Sequence, residues 1–152
     1  MDLEKRLSHK MLKKSVISLI SYDADYLPKS IKKYYDYVDE IILGVDKDRI
    51  TWSKNSFKFD EDKLWKELQQ IDGDSKISII EEDFHKSDVP IENDNYERNF
   101  LKEQCENTII VSIDADEYLL NHKQFFYEYF PIVERYLNKN DICMTWATPY
   151  KE

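Results

Sequence analysis

Three carboxylates, Asp114, Asp116 and Glu117, stand within four positions, directly after the run Ile109, Ile110, Val111, Ser112 and Ile113. So short a β-branched run reads as a buried strand. Carboxylates gathered at the end of such a strand repel one another and lose hydration, so stability alone gives no reason for them. A hard divalent cation, Mn²⁺ or Mg²⁺, relieves the repulsion because it prefers oxygen ligands. Residues i and i+2 of an extended segment point the same way, so one ion can reach both Asp114 and Asp116. An acidic loop after a core strand is the plainer account of the same residues. Asp-x-Asp is common by chance, and its weight comes from its place at the end of an apolar strand.

The elements around this run follow from hydrophobic period. Residues 16–21 predict a first strand, on Val16, Ile17, Leu19 and Ile20. Leu27, Ile31, Tyr34 and Val38 then recur at helical spacing, with Asp25 as a cap and Pro28 tolerated in the first turn. Residues 40–45 predict a second strand, ending at Asp46. Residues 49–59 show no clear period and read as a loop. A helix over 60–71 carries Leu64, Trp65, Leu68 and Ile71 on one side, and Asp72-Gly73-Asp74 makes a turn. A third strand over 77–80 leads into a polar loop over 81–93, which contains Pro90. Residues 95–104 predict a helix with Tyr96, Phe100 and Leu101 facing inwards. After the 109–113 strand, residues 121–137 predict a helix opened by a capping box of Asn121 and Gln124 and kinked at Pro131. Residues 142–147 predict a last strand.

Strands and helices therefore alternate, which argues for an α/β three-layer sandwich with a mainly parallel sheet. Ligands of such sheets bind beyond the carboxyl ends of the strands. Tyr22, Asp46, Glu81 and Asp114 all lie just past strand ends and are expected along one edge. Tyr22 could stack on a base and Asp46 could accept hydrogen bonds from a base or ribose. Arg98 could meet a phosphate in bidentate fashion. Asp114 and Asp116 could hold a metal bridging a diphosphate, which would also steady a diphosphate leaving group. Each has a plainer role. Tyr22 could be a half-buried ring, Asp46 a turn cap with Asp48, and Arg98 a partner of Asp94, Glu97 or Glu103. His85 and His122 have no partner at ligand spacing and read as loop or surface residues.

Composition narrows the function classes. The chain has 152 residues and a net charge of −9, an unfavourable balance for general nucleic-acid binding. Two glycines leave no room for a Gly-rich phosphate loop. Cys105 and Cys143 form no metal-ligand pattern and read as free thiols of a reducing compartment. No apolar run reaches the ~18–20 residues that span a bilayer. The expectation is a cytoplasmic protein, with residues 1–14 as a solvated tail. Its basic residues Lys5, Arg6, Lys10, Lys13 and Lys14 could touch an anionic membrane peripherally.

With these residues in place, the chain resembles the nucleotide-sugar-binding half of a family 2-type glycosyltransferase with the GT-A fold. The resemblance spans roughly residues 15–148. It is carried by Ser-Val-Ile-Ser-Leu-Ile-Ser-Tyr-Asp-Ala-Asp-Tyr-Leu-Pro at 15–28, Val-Asp-Glu-Ile-Ile-Leu-Gly-Val-Asp at 38–46, Tyr-Glu-Arg-Asn at 96–99, and Ser-Ile-Asp-Ala-Asp-Glu-Tyr-Leu at 112–119. It implies a GT-A-like domain over 15–152 that uses Mn²⁺ or Mg²⁺ to bind a UDP- or GDP-linked sugar. Tyr22 would then pack on the base, Asp46 would contact base or ribose, and Arg98 would lie near the donor phosphates or sugar. Asp114 would touch ribose or sugar and the metal, Asp116 would bind the metal, and Glu117 would support the metal's surroundings. The acceptor is an unknown glycan, lipid or protein. Family members carry the acceptor site and, when inverting, the catalytic base beyond the fifth strand, so no residue here is assigned as base. After the second strand the family's acidic run includes Ser and Thr, where this chain has Asp46-Lys47-Asp48-Arg49.

Three rivals stand beside this reading. A truncated or inactive GT-A-like domain would bind nucleotide, or serve as an interaction module, without catalysis. A phosphatase of the haloacid dehalogenase type also ends an apolar strand in Asp-x-Asp, but normally near the start of the chain and with later Lys and Asp motifs. A nucleotidyltransferase would usually begin with a Gly-rich loop.

Overall fold

Val16, Ile17, Ile41, Leu43 and Val45 are each completely buried. Strands apolar on both faces belong in the middle of a parallel sheet covered on both sides. The structure, a computed structural model, describes residues 13–106 and 109–134 and shows that sheet. Its strands are β1 (Lys14–Ile20), β2 (Glu40–Asp46), β3 (Ile77–Glu82) and β4 (Ile109–Ser112), in the order β3-β2-β1-β4. All three neighbouring pairs are parallel. The fold is therefore α/β. The predicted strand over 142–147 lies outside the described residues.

Two compact units divide at Leu120 and Asn121. In the first, α1 (Leu27–Tyr34) joins β1 to β2 and α2 (Glu61–Ile71) joins β2 to β3. α3 (Pro90–Gln104) carries the chain back to β4. The first two crossovers step along the sheet in one direction and the third in the other. With right-handed crossovers, α3 lies on the opposite face from α1 and α2. α1 packs against α2, and α3 packs on β1 and β2 through Leu101, which meets Ile17 and Ile42. The point where the chain direction reverses lies between β1 and β4.

Local details correct several expectations. Asp25 does not cap α1; it lies in a 3₁₀ turn (Ala24–Tyr26) and its carboxylate takes Lys63 at 2.9 Å instead. Pro28 does sit in the first turn of α1, and Leu27, Ile31 and Tyr34 are fully buried. β3 runs on to Glu82, because β2 continues to Asp46 and offers a partner for each added residue.

The α3 helix begins five residues before the predicted start, with Pro90 in its first turn, where a missing N–H costs nothing. Its buried stripe is Asn93, Glu97 and Leu101, and the predicted inward residues Tyr96 and Phe100 are half-buried beside it, Phe100 against the cluster of Ile17, Ile42 and Leu101. Both rings also flank the buried Phe84, with centroids 6.4 and 5.8 Å away. Apolar period did not mark Asn93 and Glu97, which are polar; Glu97 abuts Gly44 and the cleft described below.

In the second unit a helical turn (His122–Gln124) leads into π-helical turns (Phe125–Tyr129) and a helix (Phe130–Glu134). Asn121 makes no side-chain cap, so the capping box does not form; its carbonyl accepts Phe125 N–H at 2.8 Å. Pro131 has no N–H to give the turn before it, and π-turns commonly absorb such a defect. Phe125, Phe126 and Phe130 pack together. The rest of the predicted helix, to 137, lies outside the described residues. Among those residues no helix is long and apolar enough to cross a membrane.

Candidate functional site

A cleft of about 350 Å³ opens beyond the carboxyl ends of β1, β2 and β4. A parallel sheet places ligands here, where the crossovers diverge. Tyr22, Asp46, Arg98, Asp114 and Asp116, the five residues singled out in the sequence, all line it. Asp23, Trp52, Asp94 and Glu97 join them. Among the described lining residues, six carboxylates face one guanidinium.

Asp46, the last residue of β2, is 4% exposed. Its Oδ1 accepts the N–H groups of Asp48 and Ile50 at 3.0 and 3.1 Å. Its Oδ2 accepts Phe84 N–H and lies 3.1 Å from His85 Nδ1. The expected turn with Asp48 is thus real, and it is half of a larger clamp joining the loop after β2 to the loop after β3. His85 is not the partnerless residue expected, because its Nε2 also lies 2.7 Å from Thr51 O. Thr51 and its neighbour Trp52 are thereby held at the rim. Asn93, 1% exposed, adds to this by accepting from Lys86 N and Ser87 N and donating to Ser87 O and Trp52 O.

Asp114 has a different partner. Its two oxygens take Arg98 Nη1 and Nη2 at 2.8 and 2.9 Å, the fork geometry that matches guanidinium to carboxylate. Arg98 Nε also meets Asp94 at 3.1 Å, and Nη1 meets Ser112 Oγ at 2.9 Å. Arg98 therefore meets the cleft already paired. Bonding to Asp114 holds its pKa above the usual arginine value.

The turn after β4 is closed by Glu117, whose N–H reaches Asp114 O while its Oε2 accepts Asp114 N–H at 2.9 Å. Glu117 therefore fixes the loop that carries the metal candidates. Burial, ahead of the charges of Asp114 and Asp116, raises its pKa. Ser30 on α1 pins the same loop by donating to Glu117 O at 2.5 Å.

Asp116 is exposed, lines the cleft, and has no hydrogen bond or ion pair from any described residue. Asp23 stands across from it. Burial raises the pKa of Asp23, Ser21 opposes the rise, and the charges of Asp116 and Asp114 add to it. Asp116 is thus an open carboxylate beside Asp23 and Asp114, but Asp114 has both oxygens on Arg98, and the ligand atoms of these three do not all come within 4.8 Å of one another. A second group, Asp46, Asp83 and His85, brings ligand atoms within 4.8 Å of one another. There both Asp46 oxygens are already filled, and Asp83 Oδ2 pairs with Lys86 at 3.3 Å.

No protein-family model matches the chain, and no curated protein matches it either.

Asp23 and Trp52 escaped the sequence reading, which named Asp94 and Glu97 only as surface partners of Arg98; the Asp94 pairing is present at 3.1 Å. Asp94 and Glu97 sit four and one positions before Arg98, on neighbouring faces of one helix, and that spacing was the available signal. Trp52 lies in a stretch with no period, where nothing marked it.

Proposed function

We propose that the chain is a GT-A-type glycosyltransferase domain, or its donor-binding part, which binds a nucleoside-diphosphate sugar with Mn²⁺ or Mg²⁺ and passes the sugar to an acceptor. The observation that carries this reading is the meeting of Tyr22, Asp46, Arg98, Asp114 and Asp116 in one cleft at the carboxyl ends of a parallel sheet. Their places at strand ends and on the helix before β4 singled those residues out from stretches nearly a hundred positions apart, and the resemblance then gave them roles.

Asp116, with Asp114 beside it, would hold the cation. Such a cation would supply positive charge to offset the donor diphosphate. The aspartates of the lining outnumber its one guanidinium and repel a diphosphate, so nucleotide binding depends on the metal. Arg98 orients Asp114 and offsets its charge, and so positions the metal site instead of gripping phosphate directly. Tyr22, 76% exposed, offers a ring face to the base. Asp46 acts through the loop it clamps, presenting Thr51 and Trp52 to the cleft.

The test is a calorimetric titration of UDP and GDP, with Mn²⁺, with EDTA, and with Asp116→Ala. Expected is binding of at least one nucleotide that needs Mn²⁺ and is lost in the variant. A folded protein that binds neither nucleotide in Mn²⁺ overturns the proposal.

A further inference from the structure

Glu97 is 8% exposed, lines the cleft, and has no hydrogen-bond partner among the described residues. It lies on the sheet-facing stripe of α3, one turn from Leu101. Gly44 on β2 makes its room: a Cβ there would stand 3.3 Å from Glu97 Oε1 and 2.7 Å from Leu101 Cδ1. Its oxygens are not among the fully enclosed polar atoms left without a partner, so they open to the cleft, where a ligand can supply one.

The surroundings select the ligand group. Facing Glu97 are Asp46 at the end of β2, with His85 bonded to it, Asp94 and Arg98 on α3, and Asp114 beyond β4. Burial first, then the charges of Asp46 and Asp94, push its carboxyl up to about 8, so it keeps its proton at neutral pH. An un-ionised carboxyl offers an O–H donor beside a C=O acceptor. A phosphate is repelled at this end of the cleft, where Arg98 is already paired with Asp94 and Asp114. An uncharged heterocycle is not. The rings of Tyr22 and Trp52, 76% and 47% exposed, line the same cleft and can take its faces.

We propose that Glu97 reads the nucleobase of the donor, its carboxyl pairing through two hydrogen bonds with an N–H and C=O that stand side by side on the base edge. This rests on the donor-site reading above, and uracil and guanine both carry such an edge. Gly44 and Leu101 position the carboxyl, and Asp116, two residues past Asp114, serves the diphosphate.

The experiment compares Mn²⁺-dependent binding of UDP and GDP with that of pyrophosphate, which has no base, in the wild-type chain, Glu97→Gln and Glu97→Ala. The N3-methyl and N1-methyl analogues of the two nucleotides block the edge. For the nucleotide that binds, Glu97→Ala should lose about tenfold or more, the worth of one paired edge. Glu97→Gln, which keeps a donor and an acceptor, should stay within a few-fold of wild type. The methylated analogue should bind wild type as weakly as the parent nucleotide binds Glu97→Ala. Pyrophosphate should bind all three proteins alike. Nucleotide affinity unchanged in Glu97→Ala overturns the assignment alone, as does an equal loss of pyrophosphate and nucleotide. Wild type that binds pyrophosphate and nucleotide equally also overturns it, and a folded wild type that binds no nucleotide overturns the donor site with it.

Discussion

Asp46 and Asp114 occupy equivalent places, each at or just past the end of a parallel strand, yet the chain uses them differently. After β2 the backbone turns back on itself, and the N–H groups of Asp48, Ile50 and Phe84 fill the Asp46 carboxylate. After β4 the chain has no such return. Asp114 is filled by a side chain from α3, and Asp116, two residues on, is filled by nothing among the described residues. The difference teaches that a strand-end aspartate is available to a ligand only when its own loop does not consume it. One carboxylate holds a loop in place; beyond the other, Asp116 is left without a protein partner among the described residues.

Removing Asp46 should have the largest effect on the fold. Asp46→Ala orphans the N–H groups of Asp48, Ile50 and Phe84 and a histidine nitrogen, and removing a buried carboxylate from a network of this kind costs about 3–5 kcal/mol. A fall in Tm of roughly 10 °C or more is expected in a thermal melt followed by circular dichroism. Asp116→Ala should do the reverse, with stability within about 0.5 kcal/mol of wild type because the residue is exposed and unpartnered. Its Mn²⁺-dependent nucleotide affinity should fall by about 100-fold or more, beyond what distant supporting residues cost. His85→Ala sharpens the contrast. If the cation sits at Asp116, direct Mn²⁺ titration should give this variant wild-type affinity. A loss in His85→Ala, with Asp116→Ala unaffected, would move the metal to Asp46, Asp83 and His85.

Glu97 lies between the two groups and sets a pH dependence of stability. Its pKa rises from 4.5 to about 8 on folding, by burial first and then by Asp46 and Asp94. Between those values the folded state holds a proton that the unfolded state has lost. The contribution is therefore fully present below about pH 4.5 and declines as pH rises to about 8, by at most about 1.4 kcal/mol per unit. Urea melts from pH 5 to 8 should show that fall in wild type and a flatter profile in Glu97→Gln. Parallel profiles would mean that the Glu97 carboxyl ionises as freely in the fold as in the unfolded chain.

The sheet was legible because β1 and β2 are short apolar runs buried on both faces, and because strands alternate with helices; β4, expected buried, is an edge strand with only Ile109 fully covered. The strand ends were legible too, since topology alone brings Tyr22, Asp46 and Asp114 to one edge. The pairing of each carboxylate was not. Whether Asp46 is a ligand or a clamp depends on Phe84 and His85, which arrive from another loop. The start of α3 was missed because Pro90 reads as a breaker in a polar stretch, although a first turn accepts it. Glu97 was read as a surface partner of Arg98; its burial follows from Gly44 on a neighbouring strand, which no local pattern encodes.

The smallest effect should come from Ser30, and it tests whether the open group depends on the fold behind it. Ser30 is 1% exposed on α1 and donates its hydroxyl to Glu117 O, the carbonyl at the end of the turn that holds Asp114 and Asp116. Glu117 closes that turn through Asp114 N–H, so Ser30 restrains Asp114 at second hand. Ser30→Ala deletes one buried hydrogen bond and leaves a carbonyl unpaired, a cost of about 1 kcal/mol. The expected result is a Tm lowered by a few degrees and an Mn²⁺ affinity weakened only a few-fold in calorimetry. Asp114 keeps its Arg98 fork, so the site should loosen and not collapse. A Tm drop without change in Mn²⁺ affinity would show that the Arg98 fork alone orients the aspartate, and that the tie across 87 residues serves stability alone.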